Sequence, residues 1–273
     1  MQLSELGELG LLAELERRGL AHGIEHDAAE LAGGVVITQD ALVEGVHFRL
    51  DRISWRELGF RSAAVNLSDL AASGAQPEGL VVSLAAPGWT SVDSVLALYE
   101  GIADSDVPVI GGDTTDAREV VLSVTAVGRS ERVPGRAGAR PGDELVVTGA
   151  LGAAGAAFRR ESYSRPPLRL VEGQELARHA HALLDISDGL AVDAAHIATR
   201  SGCRLVIELE RVPLADGAKL NDVGFGEDYE LLAAVAAPTR FTTIGRCEEG
   251  EGLVLTLDGE PYELRGWEHY KKD

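Results

Sequence analysis

Leucines recur among glutamates at helical spacing across MQLSELGELGLLAELERRG, which predicts that the chain opens on an amphipathic, acidic helix. In GGVVITQDALVEGVHFRL the apolar pattern shortens to that of extended chain. It predicts a strand over 35–38, a turn carrying Asp40 and a second extended piece over 46–50. SWRELGFRSAAVNLSDLAASGAQP reads as a helix, with Ser54 as its N-cap, Glu57 completing a capping box, and Gly74 and Pro77 as its stop. LVVSLAAP predicts a strand from Leu80. TSVDSVLALYEGIADSD predicts a helix with Thr90 and Asp93 in the same capping arrangement, and VPVIGG and EVVLSVTAVGR predict two more strands. The first half is therefore α/β with mixed strand order. VPGRAGARPGD, residues 133–143, is rich in glycine and proline and marks a boundary, giving domains over 1–137 and 138–273. Beyond it, ELVVTG, ALLD, RLVIELERVPL, YELLAAVA and LVLTLDGEPYEL predict strands, DGLAVDAAHIATRSG a helix ended by Gly202, and 159–174 an irregular stretch. These make an α+β second domain.

A chain of 273 residues has room for two such cores. Its 25 Lys+Arg against 44 Asp+Glu give a formal charge of -19, which argues against general affinity for nucleic acid or an anionic membrane. No apolar run approaches the roughly 20 residues of a membrane span, and the N-terminus does not read as a signal peptide, so a cytoplasmic location is expected. Cys203 and Cys247 lie far apart with no CxxC pairing, which suggests neither a disulfide framework nor a cysteine zinc site. Lysine is confined to Lys219, Lys271 and Lys272. Walker-type loops and the protein-kinase signature need a lysine beside the phosphates early in the fold, so both designs are excluded.

What remains for phosphate chemistry is arginine, helix N-termini, or metal ions held by carboxylates. Aspartates recur where apolar segments end or turn: Asp27, Asp40, Asp69, Asp113, Asp185 and Asp188. Magnesium takes hard oxygen ligands from several loops together with substrate phosphates, which suits this set. Turn formation is the competing role for Asp40 and Asp113, and helix capping for Asp188. Asp69 lies near a predicted helix C-terminus, where the dipole disfavours an anion, and Asp185 follows an apolar run directly. Both positions call for a nearby cation. Gly111 and Gly112 allow close backbone approach to phosphate oxygens, and GALGAAGAA at 149–157 offers either the same or small-residue helix packing. Arg136 is the best-placed fixed cation. His47, alone in a predicted strand, is either structural or functional.

In this order DALVEGVHF, AVNLSDLAASGAQP, VIGGDTT, GRAGARPGDELVVTG, LDISDGLAVDAAHIA and GEDYELL resemble the thiamine-monophosphate kinase family, part of the aminoimidazole ribonucleotide synthetase-like ATP-binding superfamily. The resemblance implies a two-domain fold of that type, with a mixed-sheet N-terminal domain that pairs with a second subunit and an α+β C-terminal domain closing over nucleotide. It implies ATP- and magnesium-dependent conversion of thiamine monophosphate to thiamine diphosphate. Several magnesium ions would be held by Asp27, Thr38, Asp40, Asp69, Asp113, Asp185 and Asp188. Nucleotide contacts fall on Tyr99, Gly112, Arg136 and Ser187, to which the residue pattern adds Gly111 and Asp113. Substrate contacts fall on His47, Glu227 and Trp267, and Asp113, Arg136 and Asp188 are placed at the chemistry. Transfer would be direct and in line, with metal and Arg136 absorbing charge. The chain departs from the family pattern at Glu25 and His26 in GIEHDAA, at Gln39, at Phe225 before GEDYEL, and in a shortened segment after GALGAAGAAF. A sister ATP-dependent enzyme of the superfamily and a nucleotide-binding protein without turnover stay open as alternatives.

Overall fold

The computed structural model describes residues 2–22, 26–236, 238–264 and 266, the side chains at 8 and 9 aside. The opening helix α1 (Leu3–Arg17) is present, interrupted at Gly7. The N-terminal domain is built on a five-stranded sheet of β1 (Ala29–Leu31), β2 (Val35–Val43), β3 (Gln76–Ala86), β4 (Val109–Asp116) and β5 (Val121–Arg129), in the order β1-β2-β5-β3-β4. Side chains alternate across a strand. Leu80, Val82 and Leu84 of β3 and Leu122, Val124 and Ala126 of β5 are therefore buried together against helix α2 (Trp55–Ala72), which packs beside α3 (Val92–Ala103). On the opposite face Gln39, Ala41 and Ser83 are exposed, and Ile37, Val81, Val121 and Val127 half-exposed.

The C-terminal domain carries a seven-stranded sheet of β6 (Glu144–Val147), β7 (Ala180–Asp185), β8 (Arg204–Glu208), β9 (Leu231–Val235), β10 (Thr242–Glu248), β11 (Gly252–Leu257) and β12 (Glu260–Pro261), ordered β12-β11-β8-β10-β6-β9-β7. Its helices are α4 (Ala153–Phe158), α5 (Leu170–Ala177) and α6 (Leu190–Ser201).

From Leu58 to Ala72 nearly every residue of α2 is buried, because the helix meets the first sheet on one side and α3, α5 and β7 on others. A helix enclosed on all sides needs small or apolar residues all round, which explains GFRSAAVNLSDLAA. Its last residues, Ala71 and Ala72, join a third apolar cluster with Leu183, Leu231 and Ala233 of the second sheet. That shared core fixes the end of α2, and Asp69 with it, against the C-terminal domain.

Four local expectations are corrected. Asp40 stands inside β2, opposite Val124, because β2 pairs with β5 continuously from Val35 to Val43 and this ladder overrides the turn propensity of the sequence. Residues 46–50 form a turn with a single bridge, Glu44 to Phe48, not an extended piece. Ser54 does cap α2, accepting from Glu57 N at 3.2 Å, but the Glu57 carboxylate accepts from Arg165 at 2.7 Å instead of returning to close a box. Ser91, not Thr90, caps α3, accepting from Ser94 N at 3.0 Å. In addition, α5 already starts at Leu170, within the stretch expected to be irregular.

Candidate active site

Between the two domains lies a cavity of about 500 Å³. The alternation of β2 turns Val36, Thr38, Asp40 and Leu42 to one face. Val36 and Leu42 enter the core, and Thr38 and Asp40 line the cavity between them. Residues near the end of α2 meet them. The Thr38 hydroxyl donates to the Asp69 carboxylate, and Asp40 N donates to Asn66 Oδ1 at 3.0 Å. Ser68 Oγ donates to Asp185 Oδ2 at 2.6 Å, tying the last residue of β7 to α2. The Asp27 carboxylate accepts from Arg136 Nε at 2.9 Å and Nη2 at 2.5 Å. Ligand oxygens of Asp27, Asp69 and Asp185 all lie within 4.8 Å of one another.

Such crowding of anions in a desolvated place raises their pKa values. Burial, then Asp185, Asp40 and Asp27, push Asp69 well above the carboxylate range. Burial, then Asp27, lift Asp185 to about 8. Asp40 is raised by burial and by Asp188 and Asp27, and Asp27 by burial against the opposing pull of Arg136. One guanidinium cannot balance the whole group in its ionised form, so the native chain holds protons there that a divalent cation would displace.

Ser187 and Asp188 occupy the loop between β7 and α6. The N-cap of that helix is Gly189, one residue beyond Asp188, and Asp188 N donates to Asp193 Oδ2 at 3.0 Å. This loop is sewn to the one carrying Glu227, since Glu227 N donates to Ser187 O at 2.7 Å, Tyr229 N to Ile186 O at 2.9 Å, and Ile186 N to Glu230 O at 2.7 Å. Gly226 makes the approach possible. Its φ is 86°, and a Cβ there would stand 2.3 Å from Ser187 O. The neighbouring Asp228 accepts from Gly152 N at 2.7 Å and Ala154 N at 3.3 Å, so the start of α4 is occupied by protein. Gly155 of α4 packs against Asp222. Of the two roles open to GALGAAGAA, small-residue packing is the one the geometry favours.

The cavity thus collects Asp27, Thr38, Asp40, Asp69, Arg136, Asp185, Ser187 and Asp188, together with His47 and Glu227. His26 also lines it, and His47 Nδ1 accepts from Val43 N at 3.0 Å. Gln39 turns its amide to β5, donating to Ser123 Oγ at 3.0 Å and accepting from Thr125 Oγ1 at 3.1 Å. Tyr99 lies half-buried on α3. Gly111, Gly112 and Asp113 lie on β4, exposed along its whole length at the sheet edge. Three strand spacings separate β4 from β2, about 14 Å. A Cβ on Gly112 would stand 2.0 Å from Val82 O, so this glycine is required by the β3–β4 contact whatever else it does. Trp267 lies outside the described residues.

One buried charge beside the cavity escaped the sequence reading. Arg61 of α2 is 1% exposed, pairs with Glu227, and holds its guanidinium 5.5 Å from the Tyr163 ring centroid. Its Nε and Nη1 have no hydrogen-bond partner among the described residues. The signal was available: Arg61 is the one charged residue between Leu58 and Leu67 of a helix otherwise made to be enclosed.

Residues 25–130 match the model of the AIR synthase related protein N-terminal domain, and residues 140–260 that of its C-terminal domain. The thiamine-monophosphate kinase of Aquifex aeolicus is 33% identical over 99% of this chain and 100% of its own length. The chain belongs to the thiamine-monophosphate kinase family. The solved structure of AaThiL complexed with AMPPCP and TMP superposes with a TM-score of 0.90 at 33% identity, covering 98% of this chain and 99% of that one. HypE in the HypE-HypF complex shares only the fold with this thiamine-monophosphate kinase family member. Its TM-score is 0.77 at 16% identity, over 94% of this chain and 99% of that one.

Proposed function

We infer that this chain transfers the γ-phosphoryl group of ATP to thiamine monophosphate, yielding ADP and thiamine diphosphate. The observation that carries the reading is the meeting of Asp27 and Asp69 from one domain with Asp185 from the other, inside the cavity of a chain that matches such a kinase over that relative's whole length. The donors are hard oxygens, and burial, joined at Asp40, Asp69 and Asp185 by mutual repulsion, raises the pKa values of these three and of Asp27, which fits magnesium. Asp27, Thr38, Asp40, Asp69, Asp185 and Asp188 would hold it. Bound there, magnesium supplies the positive charge that lets phosphates approach carboxylates. Arg136, fixed by Asp27, adds a cation at the reacting phosphates. The Ser187 loop, backed by Gly226, sets the position of the nucleotide phosphates. Glu227 and His47, with Trp267 beyond the described residues, receive the thiamine moiety. An acceptor phosphate oxygen already ionised near neutral pH attacks the γ-phosphorus directly, so no general base and no phosphorylated side chain are required. Incubation with ATP, magnesium and thiamine monophosphate is expected to yield thiamine diphosphate on chromatography, while free thiamine is left unchanged. Absence of thiamine diphosphate at every magnesium level would reject the reading.

The place of Asp113 follows from a homodimer through the N-terminal domain. The open sheet face with Ile37, Val81, Val121 and Val127, and the exposed edge strand β4 with Ile110 61% exposed, are covered by a second copy. Gly111, Gly112 and Asp113, and Tyr99 with them, then serve the neighbouring protomer's cavity. Sedimentation at micromolar concentration is expected to show a dimer. Mixing inactive Asp113→Asn and Asp69→Asn protomers should restore about a quarter of wild-type activity, because half of the dimers are mixed and each mixed dimer regains one of its two sites. A monomer, or no recovery on mixing, would contradict this. A cytoplasmic location fits the absence, among the described residues, of any helix long and apolar enough to cross a membrane.

A further inference from the structure

Beside Glu227 the cavity wall is aromatic. Phe225 lies two residues before this carboxylate and Tyr229 two after it, and Tyr163 faces the same Arg61 guanidinium that pairs with Glu227. Phe158, at the end of α4, packs on Phe225 with ring centroids 4.8 Å apart and planes at 33°. In a chain only 5% aromatic, four rings in the lining of one cavity are not an even scatter. Nor are Phe158 and Phe225 core residues, since neither belongs to any of the three apolar clusters and Phe158 is 54% exposed. A large ring left that open beside a cavity offers a face on which a planar group can stack.

We propose that Phe158 and Phe225 form an acceptor-specificity wall, on which the flat, cationic heteroaromatic part of thiamine monophosphate stacks while its phosphate points to the aspartates. This rests on the reaction inferred above and names residues that select its acceptor. Charge supports that occupant. Carboxylates outnumber guanidiniums in the cavity lining, which favours a cation over a neutral group, and an aromatic face adds its own attraction for a cation. Glu227 Oε1 is engaged by Arg61, which leaves Oε2 to accept from an amino group of a stacked ring. Adenine, the other flat group in the reaction, is neutral and gains nothing from this charge.

The test is calorimetric titration of magnesium-loaded protein with thiamine monophosphate and, separately, with AMPPCP. Phe158→Leu and Phe225→Leu keep apolar bulk but lose the ring. Each is expected to raise the Kd for thiamine monophosphate about three- to tenfold, to leave that for AMPPCP unchanged, and to melt as wild type does. Phe225→Tyr, which restores a ring, should bind like wild type. Unchanged Kd for thiamine monophosphate in both leucine variants, or a loss that falls on AMPPCP, would overturn the wall. A wild-type protein that binds AMPPCP but no thiamine monophosphate would overturn the reaction itself, which is a different result from equal binding by wild type and variants.

Discussion

Asp69→Asn is expected to cut turnover at least about 10²-fold while the protein stays folded, and without metal the variant should be the more stable of the two at pH 8. The first effect follows from taking one anionic oxygen from the group that faces the phosphates. The second follows from the pKa shifts. Burial and neighbouring aspartates raise Asp69 and Asp185, the latter to about 8, from an unfolded value near ~3.9. The native state therefore holds protons that the unfolded chain releases. Stability from these groups is full below the unfolded pKa and is lost as pH rises through the folded values, so the chelated wild type should melt lower at pH 8 than at pH 5.5. The amide removes one charge and flattens that slope, and its oxygen still accepts from Thr38. Melting curves with chelator at both pH values, beside activity assays with magnesium, check both halves. A variant that melts well below wild type at pH 8 would show the carboxylate to be a structural group.

Glu227→Gln is expected to lower stability by about 3 kcal/mol, much more than a change at a cavity wall ordinarily does. Glu227 is the partner of a guanidinium whose side chain is 2% exposed, and glutamine leaves that cation buried and unmatched. Arg61→Met should cost less, because the Glu227 side chain, 27% exposed, can turn to water once its partner is gone. The double variant should therefore be more stable than Glu227→Gln alone, a non-additivity that urea melts of the four proteins would measure. Additive losses would mean that the pair is not coupled. The thiamine monophosphate KM should rise in every variant that lacks Glu227, whatever its stability.

Those two cases also separate what could be read from the chain alone from what could not. Asp69 and Asp185 were legible, because an aspartate at the end of an apolar helix or run is costly there without a cation, and the structure puts them in one cluster. The Ser54 cap and most of the longer strands and helices were legible for the same local reasons, but β1, β10 and α5 were not predicted. Asp40 was misplaced because turn propensity is local, while its strand is imposed by nine pairings with β5, far along the chain. The α3 cap slipped by one residue because Thr90 and Ser91 are adjacent hydroxyls, and only the backbone path decides between them. Arg61 was missed because its meaning depends on Glu227, which the fold brings to it from the other domain. That residues 226 and 187 touch was equally out of reach. It is a contact between loops from opposite sides of α6, visible only once the sheet is assembled.

The central claim is direct phosphoryl transfer at a site assembled from both domains. A single-turnover experiment with ATP radiolabelled in its γ-phosphate, magnesium and excess thiamine monophosphate tests it most directly. The label is predicted to pass into thiamine diphosphate, one for each ADP formed, with none retained on the protein and none released as inorganic phosphate before the product appears. Label found on the protein, or lost as phosphate while thiamine monophosphate stays unchanged, would contradict the account.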